Sequence, residues 1–94
     1  AVRVVVLLPD PLRTDAGGRG EVTVDAPGGS LADVLDAVAR ELPVVGRRVR
    51  DETGALRRHV NAFVDGEDAR HAGGPAAPVR DWSVVHLLPA VSGG

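Results

Sequence analysis

The chain is short, slightly acidic and free of cysteine. It has 94 residues and a formal charge of −2, and all eleven of its Lys/Arg positions are arginine. This length suits one domain, and the lack of cysteine excludes disulfides, thiolate metal sites and a catalytic thiol. The charge gives nucleic acid no strong electrostatic reason to bind, so no nucleic-acid partner is expected. With no apolar stretch near the roughly 20 residues of a membrane span and no signal pattern, we expect a soluble cytoplasmic protein without membrane partners.

The first half of the chain predicts a β-hairpin and one long helix. Residues 2–8 are almost continuously apolar and valine-rich, which suits a central strand covered on both faces. Glycine-rich residues 12–20 predict a loop, and the alternation of residues 21–26 predicts a half-buried strand paired with the first. Ser30 is a good N-cap, with Asp33 in place of the usual capping-box Glu, and the helical pattern that follows ends at Pro43.

Residues 44–58 predict a short helical turn and a loop that is crowded with arginines. These are Arg47, Arg48, Arg50, Arg57 and Arg58. They would form a docking patch for an acidic partner or, as is more common, a solvated loop in which they pair with the nearby Asp51 and Glu52.

The second half predicts three more strands. Residues 59–65 alternate, Asp65-Gly66 is typical of a tight hairpin turn, and residues 67–70 form a short charged return strand. Residues 71–78 predict an irregular loop, and residues 82–88 a final strand. This order predicts an α+β fold, with a mixed sheet of four to five strands and one main helix across a single face.

No internal motif indicates catalysis. The glycine pairs lack a following Lys-Ser/Thr, no Gly-x-Gly-x-x-Gly opens the helix, and there is no nucleophile elbow. The three histidines are far apart, so no metal site is expected. We therefore expect a protein that is not an enzyme and binds no cofactor itself.

The last strand predicts an outward apolar group. If Val85 and Leu87 point into the core, then Val84, His86 and Leu88 point outward, on the side where Phe63 also lies. Such a group would be a partner-docking patch or an ordinary scatter of apolar surface residues.

The chain ends on two glycines, so any chemistry there belongs to the terminal carboxylate of Gly94. Gly93 and the small Ser92 leave a segment slender enough for a narrow channel. Six residues from Pro89 onward reach at most about 20 Å. The alternative is a frayed end without a role.

Two segments resemble the small sulfur carriers of the ThiS/MoaD group, which share the ubiquitin-like β-grasp fold. Residues 58–68 read Arg-His-Val-Asn-Ala-Phe-Val-Asp-Gly-Glu-Asp, and residues 88–94 read Leu-Pro-Ala-Val-Ser-Gly-Gly. Both are most similar to the actinobacterial carriers of the cysteine-synthesis branch, in which an alanine replaces Ser92. The resemblance implies one β-grasp domain over residues 1–94, with residues 89–94 as a flexible functional tail.

The resemblance also implies the chemistry and the partners. A partner adenylyltransferase would consume ATP to activate the Gly94 carboxylate, and a sulfur donor would convert it to a thiocarboxylate that passes through a channel with Gly93 and Ser92. The acceptor would be a pyridoxal-phosphate cysteine synthase, and a metallopeptidase is a further candidate partner for product release. Sulfur donation to molybdopterin, thiamin or sulfur-containing natural products stays open, as does an interaction module with an inert tail.

Overall fold

Within residues 1–89, five strands form one mixed sheet, which confirms the predicted fold class. The computed structural model describes residues 1–89. The strands are β1 (Val2–Leu7), β2 (Glu21–Ala26), β3 (Val60–Val64), β4 (Glu67–Asp68) and β5 (Val84–Pro89), arranged in the order β2-β1-β5-β3-β4. Only β1 and β5 are parallel; the other neighbours are antiparallel. The helices are α1 (Asp10–Arg13), α2 (Leu31–Glu41) and α3 (Pro43–Val49).

The core lies between one face of the sheet and α2. Alternate strand residues such as Val6, Val85 and Leu87 are fully buried, and Val34 and Val38 of α2 pack in the same cluster. Within the described residues this cluster consists of valine, leucine and alanine only. The two aromatic residues of the chain therefore lie outside the core.

Helix α2 begins with the predicted cap. The Ser30 hydroxyl oxygen accepts the Asp33 N–H at 3.2 Å, and the hydroxyl donates to the Asp33 carboxylate at 2.8 Å. A capping-box Glu would reach the backbone N–H of the cap residue instead. The shorter Asp side chain bonds to the hydroxyl, which holds the cap in place.

Helix α3 is longer than the predicted turn, and it packs closely on α2. Val45 and Val49 are buried, and Pro43 stands in the first turn, where its missing N–H costs nothing. Gly46 faces Ala39 of α2, so that a Cβ added at Gly46 would lie 2.6 Å from the Cβ of Ala39. The close approach of the two helices depends on the absence of this side chain.

Two predicted boundaries were wrong in the loops. Residues 12–20 are not all loop, because α1 continues into a 3₁₀ turn at Thr14–Ala16 that buries Leu12 and Ala16. The return strand covers only Glu67–Asp68, and 3₁₀ turns follow at Ala69–His71 and Gly74–Ala76. Such short helical segments have too few residues to produce a visible periodicity.

The last strand also has different limits. It begins at Val84, because Trp82 adopts a left-handed backbone conformation (φ 67°) in the preceding turn. It extends to Pro89, which lies opposite Val60 of β3. Residues 90–94 lie outside the described part of the chain, so the predicted tail beyond Pro89 stays a prediction.

The predicted turn between β3 and β4 is confirmed. Asp65 and Gly66 both have positive φ angles, 49° and 89°, as a type I′ hairpin turn requires. The Asp65 carboxylate accepts the Ser83 hydroxyl and the Val84 N–H, both at 2.9 Å. These bonds fix the beginning of β5 against the end of β3.

Candidate functional site: the open sheet face and the root of the tail

Strand β5 supports the segment that leads to the chain end. It lies between β1 and β3, with Val85 and Leu87 fully buried in the core. Pairing with β1 stops at His86, whereas pairing with β3 continues to Pro89. The root of the predicted tail is therefore fixed to an interior strand.

The sheet face opposite α2 carries a cluster of side chains from three adjacent strands. We call it the open face and define it by Val5, Leu7, Phe63, Val84, His86 and Leu88. The strand registers place His86 between Leu7 and Phe63, and Val84 beside Val5. The five apolar residues are half-buried and His86 is exposed.

The structure places Phe63, Val84, His86 and Leu88 on one face, and their role in docking stays a prediction. Sequence reasoning missed Val5 and Leu7. The prediction that β1 is covered on both faces was wrong, because these two side chains remain half-exposed. An apolar run looks the same whether a second layer covers it or a partner does, so only the register with β5 reveals the cluster.

Acidic side chains border the open face on the β2 edge. Glu21 and Asp25 are exposed and lie opposite Leu7 and Arg3 of β1. Arg3 pairs with Asp25 at 3.1 Å. The face thus has an apolar centre and a polar, largely acidic border.

The opposite edge carries a bidentate ion pair. Asp68 lies opposite Phe63, and its carboxylate accepts from Arg70 at 2.8 Å and 3.2 Å. The hydrogen bond from the Arg70 side chain, helped by the Arg70 N–H, lowers the pKa of Asp68 to about 2. This edge is therefore charged but internally paired at neutral pH.

The arginines of residues 44–58 pair mainly within the fold. Arg48 contacts Asp15 and Arg50 contacts Asp36, each at 2.8 Å. Arg57 donates to the carbonyl of Arg47 at 2.8 Å. These contacts favour a structural role over a docking patch for Arg48, Arg50 and Arg57. The acidic partners, however, come from distant parts of the chain and are not the neighbouring residues that the sequence suggested.

Asp51 was predicted to pair with these arginines, but its carboxylate accepts hydrogen bonds from its own loop. Its carboxylate accepts the Thr53 hydroxyl, the Thr53 N–H at 2.8 Å and the Ala55 N–H at 3.2 Å. The Thr53 side-chain bond is the largest cause of a lowered Asp51 pKa. Asp51 thus closes its own loop. Within residues 1–89 it forms no ion pair with an arginine, although the charge of Arg57 contributes to its lowered pKa.

Neither a metal cluster nor a membrane helix is found in the described residues. Across residues 1–89, His, Asp and Glu nowhere gather in a group of three that could ligate a metal. His59, His71 and His86 are all exposed. In the same part of the chain, no helix has the length and apolarity needed to cross a membrane.

Comparisons with known proteins agree with this geometry. The ThiS family model matches residues 6–94. The sulfur carrier protein CysO of Mycobacterium tuberculosis is 36% identical over 95 residues, which cover 99% of this chain and all of the relative. Its crystal structure superimposes with a TM-score of 0.82, covering 94% of this chain and 99% of that one. CysO of Amycolatopsis orientalis, solved in complex with BexX, is 37% identical, with a TM-score of 0.78 and coverage of 97% and 99%.

A five-stranded mixed sheet in this order with a helix across one face defines a ubiquitin-like β-grasp protein. The chain belongs to the ThiS family, which confirms the resemblance found in the sequence. Its homologues are small protein carriers and not catalysts, in agreement with the prediction that the chain is not an enzyme.

Proposed function

We propose that this chain is a sulfur carrier in which Gly94 holds the sulfur as a thiocarboxylate. The observation that supports this most is the family match over residues 6–94, on a β-grasp body whose interior strand β5 ends at Pro89, five residues before Gly94. A carboxylate is a poor electrophile, so the terminus needs activation before sulfur can be added. We assign the activation to a partner enzyme, because the homologues of this chain are carriers and not catalysts.

The proposed chemistry has two steps. A Gly94 carboxylate oxygen attacks the α-phosphorus of ATP in the partner adenylyltransferase, and pyrophosphate leaves. A sulfur nucleophile at the oxidation level of sulfide then attacks the acyl carbon, and AMP leaves with the bonding electrons of the C–O bond. Exclusion of water by the partner would protect the acyl-adenylate from hydrolysis. Because the reaction consumes ATP, we place it in the cytoplasm.

The tail would bridge the body of the carrier and the partner's active site. The five residues after Pro89 span at most about 16–18 Å when extended. Gly93 has no side chain and Ser92 has a small one, so this end would pass through a narrow channel. The fixed position of Pro89 beside Val60 gives the tail a defined starting point.

The open face would dock the partner while the tail enters its active site. Leu88 lies nearest to the tail root, His86 follows with its neighbours Phe63 and Leu7, and Val84 and Val5 continue the apolar area towards the start of β5. Half-exposed apolar clusters with a polar border are typical of protein interaction surfaces. The matching partner surface would be apolar, with basic side chains facing Glu21 and Asp25.

We further propose that the sulfur goes to cysteine. The 36% identity to CysO over the whole chain supports this branch over molybdopterin or thiamin synthesis. The acceptor would be a pyridoxal-phosphate cysteine synthase. On that enzyme the thiocarboxylate sulfur would bond to the β-carbon of an aminoacrylate, giving a thioester between Gly94 and the new cysteine. The Gly94 acyl group would then move from that sulfur to the cysteine amine, and a metallopeptidase would hydrolyse the resulting amide, which restores the free carboxylate and releases cysteine.

The test compares the native end with a blocked one. The wild-type chain, a variant with one alanine added after Gly94, and Val44→Ala as a surface control are each mixed with ATP and the adenylyltransferase encoded in the same genome. We expect pyrophosphate release with the wild-type and control proteins, and none with the extended chain, whose thermal unfolding is unchanged. Release at the wild-type rate by the extended chain would contradict a terminal mechanism.

A further inference from the structure

Trp82 occupies a position that its side chain does not favour. It is 61% exposed, the largest exposed fraction among the bulky apolar residues of the described chain. It is also the third residue of a turn closed by the Ser83 N–H and the Arg80 carbonyl at 2.9 Å, with φ at 67°. Glycine or asparagine is the usual residue there in a type II turn. A strained, exposed tryptophan suggests a role outside folding.

The turn is held rigidly against β1. The Trp82 N–H donates to the Arg3 carbonyl at 2.6 Å, and the Asp81 carboxylate accepts the Arg3 N–H at 3.1 Å. The Arg3 guanidinium carbon lies 5.8 Å from the centre of the indole ring, within cation–π range. Arg3 also pairs with Asp25, so the indole already contacts an ordered group of β1 before any partner arrives.

Trp82 and Arg3 extend the open face to its far end. Arg3, Val5 and Leu7 alternate along the outward side of β1. Trp82 precedes β5, whose other end is Pro89, and the length of the strand separates the two by about 20 Å. A partner that covers the open face and receives the tail is therefore wide enough to reach Trp82.

The charges and the shape of the open face around Arg3 and Trp82 indicate what kind of partner surface would fit there. Asp25 and Asp81 are exposed here, and within residues 1–89 no ion pair involves Asp81. An apolar pocket that receives the indole, with basic side chains at its rim, would complement both features. Tryptophan is among the residue types most enriched at interface hot spots.

We propose that Trp82, oriented by Arg3, is the anchor by which the adenylyltransferase selects this carrier. The proposal rests on the proposed sulfur-carrier function. Two glycines offer nothing for selection, so selection among carriers with the same end must use the folded body. The activating enzyme is the partner that must select first, because it consumes ATP before sulfur is attached.

The variant Trp82→Gly tests the anchor without harming the turn. Its affinity for the adenylyltransferase, measured by calorimetry without ATP, should fall by about 30-fold or more, the size expected of a hot spot. Its unfolding temperature should be unchanged or higher, because glycine suits the left-handed conformation. Val44→Ala is the matched control: among residues 1–89, Val44 is the other exposed bulky apolar residue, 39% exposed on α3, and truncating its side chain should leave the affinity unchanged.

A second readout uses the single tryptophan of the chain. Carrier labelled with 5-fluorotryptophan gives one fluorine resonance, which should shift when unlabelled adenylyltransferase is added. Arg3→Gln should weaken binding by a smaller factor than Trp82→Gly, because it removes only the orienting group.

The outcomes separate this proposal from the function on which it rests. Failure of the wild-type chain to be adenylylated would contradict the sulfur-carrier function itself. Adenylylation of the wild-type chain, together with affinity of Trp82→Gly within about twofold, would overturn the anchor alone. A lower unfolding temperature of Trp82→Gly would assign Trp82 to folding. Self-association of the wild-type chain that Trp82→Gly abolishes, with enzyme affinity retained, would assign the surface to a second copy and overturn the proposal.

Discussion

The substitution Gly46→Ala gives a prediction whose sign depends on the packing of α3 against α2. Gly46 lies in the interior of α3 with an ordinary helical backbone. Helix propensity alone therefore predicts that alanine stabilises the protein by about 1 kcal/mol. Packing predicts the opposite, because the new Cβ would lie 2.6 Å from the Cβ and 2.7 Å from the Cα of Ala39.

The magnitude follows from these distances. Carbon atoms in contact are about 3.5–4.0 Å apart, so the helices would have to separate locally by about 1 Å. Overpacking of this kind costs about 1–3 kcal/mol, and values near the upper end apply because one of the two clashing atoms is backbone. After the propensity gain is subtracted, we expect a net loss of about 1–2 kcal/mol. For a domain of this size the unfolding midpoint should fall by roughly 4–16 °C.

Urea and thermal unfolding of four proteins measure this effect: wild type, Gly46→Ala, Ala39→Gly and the double variant. Ala39→Gly removes the Cβ that clashes, so the double variant should recover part of the loss caused by Gly46→Ala. The coupling free energy between the two sites should therefore be favourable by about 1 kcal/mol. A Gly46→Ala protein as stable as wild type or more stable would refute the packing argument.

Three further predictions concern the cap, a surface ion pair and the open face. Ser30→Ala removes both hydrogen bonds of Ser30 at the start of α2 and should lower the free energy of unfolding by about 1 kcal/mol, whereas Ser30→Thr should retain most of the wild-type stability. Equal urea midpoints for the wild type and both variants would contradict the role of Ser30 as the cap. Arg70→Gln should raise the Asp68 pKa from about 2 towards 3.8. The variant should therefore be less stable than the wild type at pH 7, and this difference in unfolding free energy should disappear as the pH falls through about 2. NMR titration of Asp68 and urea unfolding at both pH values measure the two effects, and an unchanged Asp68 pKa would exclude Arg70 as the cause of its low value. Phe63→Ser should weaken adenylyltransferase binding about tenfold or more while Val44→Ser does not, and equal binding by both variants in calorimetry would remove the docking role from the open face.

The sequence predicted those elements that are long and locally signalled. Helix α2 has three turns of apolar spacing, a cap at Ser30 and a stop at Pro43, so both its position and its ends were predictable. The hairpin turn at Asp65-Gly66 was predictable because both positions require positive φ. Helix α1 has four residues, two of them beside prolines, and gave no comparable pattern.

The site was predictable only where alternation along a strand was sufficient. Phe63 and His86 were placed on one face from their own strands, whereas Val5 and Leu7 required the parallel register of β1 with β5. The ion partners of Arg48 and Arg50, Asp15 and Asp36, are distant in sequence and come together only in the fold. No local rule indicates such pairs.

Trp82 shows a different limit. The apolar run before Leu88 favoured a strand from residue 82, because tryptophan is common in strands. The Arg80–Ser83 turn bond and the contact with Arg3 hold Trp82 in a left-handed conformation instead. Sequence patterns record the preferences of residues, and here the fold overrides the preference.

The roles of Gly94, Gly93 and Ser92 remain predictions, and one measurement tests them most directly. The wild-type chain is incubated with ATP, sulfide and the adenylyltransferase from the same genome, and its C-terminal peptide is then fragmented in a mass spectrometer. We predict that one sulfur replaces one oxygen and that the change is located on Gly94. An unchanged mass, under conditions that thiolate a known sulfur carrier, or a sulfur located on any other residue, would contradict the proposed function.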